Sequence, residues 1–185
     1  MRVLGISGSV REKSFNRGLL RAAVDVAPND VTLSIYDISE IPVYNADFDG
    51  EKQPEVVRSF KRAISESDAL LIATPEYNAS FSGVLKNAID WASRPLSSTP
   101  LMDKPAALMG ASGGLSGTIR AQAALLQVLV SCGVRVMPKP GVVVRHAGSL
   151  CDDTGLLTDE ETRARIREQI EALGEFSSGL NGGSL

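Results

Sequence analysis

The chain has 185 residues, enough for one domain whose core needs no disulfide or structural metal. Hydrophobic residues make up 43% and charged residues 22%, which excludes a disordered or fibrous chain. The 19 Lys and Arg against 22 Asp and Glu give a net charge of -3. That balance carries no basic footprint for nucleic acid, and it is far from the strong acidity of carriers that dock partners electrostatically.

In chain order, Val3–Ser7 is a short apolar run that predicts a buried first strand, and residues 16–27 place Leu19, Leu20, Ala23, Val24 and Ala27 on one helical face. Val31–Tyr36 alternates with period two and predicts a second strand. A loop with Pro42, Asn45, Asp47 and Gly50 follows, then a helix from about Pro54 with Val56, Val57, Phe60, Ala63 and Ile64 inward. Ala69–Thr74 is continuously apolar and stops at Pro75, the pattern of a central parallel strand. A helix is expected over 83–94, a fourth strand over Ala106–Met109 and a long helix over roughly 118–131. Val134–Val136 and Val142–Val144 flank a break at Pro138–Pro140. Thr158–Glu161 has the spacing of a capping box that opens a last helix with Ile166, Ile170 and Leu173 inward. The small, polar residues 177–185 are expected to be a disordered tail to a domain spanning 1–176.

This alternation of five β–α units predicts one open, mostly parallel α/β sheet with helices on both faces. Ligands of such sheets lie outside the carboxyl ends of the strands, near the point where strand order reverses. The loops after the first, third and fourth strands are therefore the candidates. Cys132 and Cys151 lack CxxC spacing and His146 falls in a loop, so no metal cluster or nucleophile–base pair is expected. The N-terminus lacks a signal-peptide pattern, and no apolar run approaches the ~20 residues of a membrane span, so a reduced cytoplasmic protein is expected.

The first candidate loop, Gly8–Arg17, joins a strand to a helix N-terminus and offers Ser9, Ser14 and Asn16 as donors with Arg11 as a cation. It suits a phosphate monoester. It lacks both the GK[ST] ending of a nucleoside-triphosphate loop and the glycine spacing of a dinucleotide fold, which leaves Asp37 a weak ribose ligand. The competing account is an ordinary capped helix in which Ser14 or Asn16 satisfies backbone donors. The second loop, Thr74–Gly83, combines Tyr77 and the Asn78 amide with exposed peptide groups. It could hold a flat heteroaromatic ring, or be a Pro-initiated turn with Tyr77 packed under the next helix. The third, Gly110–Gly117, lets backbone amides approach a ligand, and the helix after it could stabilise negative charge.

Gly8-Ser9-Val-Arg11-Glu-Lys-Ser14-Phe15-Asn16 and Thr74-Pro-Glu-Tyr-Asn-Ala-Ser-Phe-Ser-Gly83, with its continuation to Arg94, resemble the NADPH-dependent FMN reductase family, which includes chromate and quinone reductases. The resemblance covers roughly residues 2–176. It implies a flavodoxin-like three-layer sandwich with a five-stranded parallel sheet of order 2-1-3-4-5. By the same resemblance Ser9, Arg11, Ser14 and Asn16 would hold the FMN phosphate, with Phe15 among the cofactor-binding residues. Pro75, Glu76, Tyr77 and Asn78 would line the isoalloxazine, and Ser112, Gly113 and Gly114 would reach its pyrimidine side. FMN would be the bound cofactor, NAD(P)H the co-substrate and a quinone, chromate or similar molecule the acceptor, with no catalytic side chain and no metal. The assembly implied is a homodimer or homotetramer; the stretch Ala121–Gln127, less bulky than in relatives, favours the dimer. The rival functions are a flavodoxin-type electron carrier, a nonenzymatic FMN-binding redox module and a phosphate-binding hydrolase. On the 83–94 helix, Asp90 and Arg94 are expected to pair at i,i+4, on a face that is either a solvated stripe or a polar dimer contact.

Overall fold

Six strands and five α-helices alternate through the described residues, 1–182, of the computed structural model: β1 (Arg2–Ser7), α1 (Phe15–Val26), β2 (Thr32–Tyr36), α2 (Glu55–Glu66), β3 (Ala69–Ala73), α3 (Gly83–Ala92), β4 (Pro105–Ala111), α4 (Ile119–Ser131), β5 (Arg135–Val136), β6 (Val142–Val144) and α5 (Glu160–Gly182). The strands run parallel in the order β2-β1-β3-β4-β5, and β6 also pairs with β4. The expected order 2-1-3-4-5 therefore holds, with one strand more. Strand order reverses between β1 and β3. The chain leaves that point through Gly8, whose amide donates to Ala73 O at 2.8 Å.

Period-two alternation sorts the central strands between two cores. Leu4, Ile6, Leu70, Ile72 and Leu108 face α2, α3 and α4, where they meet Phe60, Ile64, Leu85, Ile89, Trp91 and Leu125. Val3, Leu71, Ala73, Ala107 and Met109 face α1 and α5, packing on Leu19, Leu20, Ile166, Ile170 and Leu173. Both faces being covered explains why β3 is buried at every position.

The sixth strand arises because the last sheet position is divided. β5 pairs with Pro105–Ala106, β6 with Met109–Ala111, and residues 138–141 separate the two after the Met137 amide has donated to Ala106 O at 2.8 Å. Across the gap the buried Gln169 side chain of α5 donates to Leu108 O at 2.8 Å and to Pro140 O at 3.0 Å.

Three local expectations are corrected. The α5 cap is Asp159, which accepts from the Thr162 amide at 2.8 Å, because the Thr158 hydroxyl is turned to Leu150 O instead. On α3, Asp90 pairs with Lys86 at 2.7 Å rather than with Arg94, whose position lies beyond the helix end at Ala92. The remaining polar face of α3 is an internal clamp: Asn87 accepts from the Tyr44 amide at 2.8 Å and donates to Pro42 O at 2.9 Å, while buried Trp91 donates to the same carbonyl at 2.8 Å. Finally, α5 continues over residues 177–182, with Ser177 buried, where the sequence suggests a tail; residues 183–185 lie outside the described residues.

Candidate functional site

The carboxyl ends of β1, β3 and β4 bring the three candidate loops around one cleft of about 160 Å³. The first loop supplies Ser9, Arg11, Ser14, Phe15 and Asn16, the second Pro75, Glu76 and Tyr77, and the third Ala111, Ser112 and Gly113. Asn78 and Gly114 are not part of its lining. A larger hollow of about 710 Å³ lies at the opposite edge, by Met1, Val31 and Asp68. It sits at the amino ends of the strands, on the side away from the carboxyl-end loops where sheets of this kind bind ligands.

The two accounts of the first loop divide it residue by residue. Ser14 is the α1 cap, accepting from the Arg17 amide at 3.3 Å. Asn16 is a tie between loops: its Nδ2 donates to Ala111 O at 3.0 Å and its Oδ1 accepts from the Ala111 amide at 2.9 Å. Other groups stay available. The Ser9 residue is only 5% exposed, yet among the described residues its hydroxyl has no hydrogen-bond partner, and neither do the Phe15 and Asn16 amides of the first α1 turn. Arg11 lies over the Phe15 ring, 5.4 Å from its centroid, and spends one N–H on Lys13 O at 3.0 Å. A helix N-terminus, an unpartnered hydroxyl and a guanidinium facing one cleft form a donor set for a phosphate monoester.

In the second loop Tyr77 and Ser80 exchange backbone hydrogen bonds of 2.9 and 3.0 Å around Asn78 and Ala79, which have φ values of 51° and 63°. This is the geometry of a type I′ turn, and it turns Asn78 away from the cleft. Tyr77 remains 53% exposed, so the account that packs it under α3 is wrong. Its open ring beside Ser112 and Gly113 leaves a rim on which a flat ligand can lie.

Glu76 departs most from expectation. Its side chain is 5% exposed and its carboxylate accepts from the Arg120 amide at 3.1 Å, the Ala121 amide at 3.2 Å, Arg120 Nε at 2.8 Å and the Ser116 hydroxyl at 3.3 Å, with a further contact to Arg120 Nη2. It thereby caps α4 from another loop, since Thr118 makes no side-chain cap. The α4 N-terminus expected to face a ligand's negative charge already faces a carboxylate. Burial pushes the Glu76 carboxyl up, but the Arg120 and Ala121 hydrogen bonds outweigh it and hold it below the usual range. A lowered folded pKa contributes stability that is complete above the unfolded value of about 4.3 and is lost as pH falls through the lower folded value. The acid limb of the apoprotein's stability curve is accordingly expected to be shallower in Glu76→Gln, as denaturant midpoints between pH 3 and 7 would show.

Sequence reasoning missed Ala111, Ser116 and Arg120, whose roles depend on contacts between residues 40 or more positions apart, except for Ser116–Arg120. Asp37 is occupied by Arg17 at 2.6 Å and the Ser39 amide at 2.9 Å, consistent with its weak standing as a ribose ligand. Burial and the neighbouring Asp152 push the Cys151 thiol up to about 11, which makes it a poor nucleophile. Among the described residues no His, Cys, Asp and Glu group could hold a metal, and no helix is long and apolar enough to cross a membrane.

Comparison with known proteins gives the family and the fold. The family described as NADPH-dependent FMN reductase matches residues 1–149. An NAD(P)H-dependent FMN reductase of Pseudomonas aeruginosa is 47% identical over 173 residues, covering 94% of this chain and 93% of that protein. A 2-hydroxy-1,4-benzoquinone reductase of a Burkholderia species is 41% identical over 90% of this chain and 91% of its own. Among solved structures, the flavoenzyme NAD(P)H:acceptor oxidoreductase of Paracoccus denitrificans superposes with a TM-score of 0.87 at 34% identity, covering 96% of this chain and 97% of that one. The chain belongs to the NADPH-dependent FMN reductase family, flavodoxin-like oxidoreductases with FMN as cofactor and NAD(P)H as co-substrate.

Proposed function

We propose that the cleft seats the FMN phosphate on the first turn of α1, with Ser9, the Ser14 hydroxyl proton, Arg11 and the Phe15 and Asn16 amides as donors. The observation that carries this reading is the Ser9 hydroxyl, carried by a residue only 5% exposed, lining the cleft, unpartnered among the described residues and placed beside free helix amides and a cation. At about 160 Å³ the cleft is smaller than the roughly 300–1,000 Å³ of a drug-sized ligand pocket. It suits the phosphate and ribityl chain, while the isoalloxazine lies along the open rim of Pro75–Tyr77 and Ser112–Gly113. Bound FMN supplies the redox chemistry, accepting hydride from NAD(P)H and passing the electrons to an acceptor. The chain holds the phosphate, orients the ring and leaves one face of it accessible. That accessibility supports successive use of one surface by the nucleotide and the acceptor, with no side chain required as acid or nucleophile.

Quinones are the proposed acceptors, supported by the names of relatives about 40% identical, and chromate fits the same open site. A homodimer in the cytoplasm is the proposed working form, with a tetramer as the larger alternative. Ile119, Leu126 and Val130 project from one face of α4 beside the rim, 48%, 43% and 58% exposed, and a second copy would cover them. Sedimentation equilibrium tests this assembly.

The function is tested by mixing the FMN-loaded protein anaerobically with NADPH or NADH and then adding a benzoquinone. Bleaching of the flavin band and its return with the quinone are expected; an unbleached flavin would leave an electron carrier or a redox-sensing module. In Arg11→Ala, FMN affinity is expected to fall about tenfold, the worth of one exposed charge-assisted hydrogen bond. Riboflavin, lacking the phosphate, should bind the wild type and the variant alike in fluorescence-quenching titrations.

A further inference from the structure

The contact between Glu76 and α4 has an electrostatic consequence for the bound cofactor, given the FMN placement proposed above. Two positive features converge on the rim: the α4 N-terminus, whose first-turn amides are equivalent to about half a unit charge, and the Arg120 guanidinium. One buried carboxylate sits at their meeting point, on the loop that borders the same cleft. A carboxylate is not needed there to keep the backbone in place. The usual cap is a Ser, Thr, Asp or Asn side chain on the residue just before the helix, and Thr118 occupies that position with its hydroxyl accepting from Gln122 Nε2 at 3.0 Å instead. The cap has been moved to another loop and carries a full negative charge.

We infer that Glu76 is a positioning and charge-setting residue for FMN: it locks the Pro75–Tyr77 rim to the Ser112–Thr118 rim and cancels the positive field that α4 and Arg120 would otherwise direct at the flavin. Reduction by NAD(P)H brings two electrons and a proton onto the flavin, and a positive neighbour favours the reduced, electron-rich form. With the carboxylate present, that preference is held down and the reduced cofactor passes its electrons onward more readily. Arg120 acts in the opposite sense: without its guanidinium the buried carboxylate is under-compensated and disfavours the reduced form.

The test is the midpoint potential of FMN-loaded wild type, Glu76→Gln and Arg120→Met, measured by anaerobic dye equilibration, together with FMN titration of each apoprotein. In Glu76→Gln the amide oxygen still accepts from α4, but the charge is gone. The ratio of affinities for reduced over oxidised FMN is expected to rise about tenfold, an upward shift of about 30 mV for a two-electron couple. Arg120→Met is expected to shift the potential downward. A purely structural lock would weaken both redox forms equally and leave the potential in place. Equal potentials in all three proteins, or shifts of the same sign in both variants, would overturn the charge-setting role while leaving the FMN site intact. Failure of the wild type to bind FMN would overturn the placement, and this role with it. Should Glu76→Gln fail to fold, Glu76→Asp, which retains the charge and shortens the reach, is expected to keep the wild-type potential with weaker FMN binding; a tenfold redox preference in that variant would also overturn the role.

Discussion

Replacing Asn16 by leucine is expected to destabilise the apoprotein by about 2–5 kcal/mol, because two buried backbone groups of Ala111 lose their partner and each costs about 1–3 kcal/mol when left unsatisfied. Leucine has nearly the shape of asparagine, so lost packing contributes little. The melting temperature should fall on the order of 10 °C. The side chain does for Ala111 what a neighbouring strand would do: it accepts the N–H and donates to the C=O where the sheet ends. It also fixes the distance between the α1 N-terminus and the third loop, so FMN affinity should fall with stability. A pure phosphate ligand would behave differently, with affinity lost and the apoprotein's denaturation midpoint unmoved. That outcome, in urea melts of the cofactor-free protein, would refute the tie.

The same residue shows what the chain made legible and what it did not. The layers, the parallel run of the strands and the place of the candidate site followed from apolar runs and from strand–loop–helix context, because burial on two sheet faces imposes those patterns locally, whereas the strand order came from the family resemblance. Within the site, residue type marked Ser9, Arg11 and Tyr77 as available groups; all three line the cleft, and Arg11 gives up only one N–H, to Lys13 O. Asn16 and Glu76 have side chains equally suited to a ligand. They are instead consumed by Ala111, 95 residues away, and Arg120, 44 residues away, and nothing in local spacing signals such partners. The turn at Asn78–Ala79 was obscured for another reason: a type I′ turn usually announces itself with glycine, and here alanine takes a left-handed conformation at φ 63°. The division of the last strand was visible as two valine runs around prolines. That both halves pair with β4, with a glutamine bridging the gap, depends on the packing of α5.

Gly18→Ala sets a general rule against a particular contact. In a helix interior alanine is preferred to glycine by about 1 kcal/mol, so α1 taken alone should gain. A Cβ at Gly18, however, would stand 1.9 Å from Gly155 O and 3.1 Å from Gly155 C, and these are backbone atoms that cannot rotate aside. Gly155 is itself held at φ 82°, and the loop is fastened by three bonds to the Asp152 carboxylate, from the Thr154 amide and hydroxyl and the Leu156 amide. Relief therefore requires the 152–156 segment to move off α1, away from Lys13, whose backbone lies 3.0 Å from a Cβ built at Gly155. Overpacking of this kind costs about 1–3 kcal/mol and occasionally more. With the overlap falling on backbone, a net loss of about 2 kcal/mol is expected after the helical gain, a fall of roughly 4–8 °C in melting temperature. Gly174→Ala is the matched control. It lies in α5, and its Cβ would meet nothing nearer than Met1 Cε at 3.5 Å, so the helical preference should appear undiminished as a stabilisation of about 0.5–1 kcal/mol. Opposite signs for the two substitutions in parallel urea melts are the expected result. Stabilisation by both would mean that the 152–156 loop yields freely and does not brace the helix beneath the turn proposed to bind phosphate.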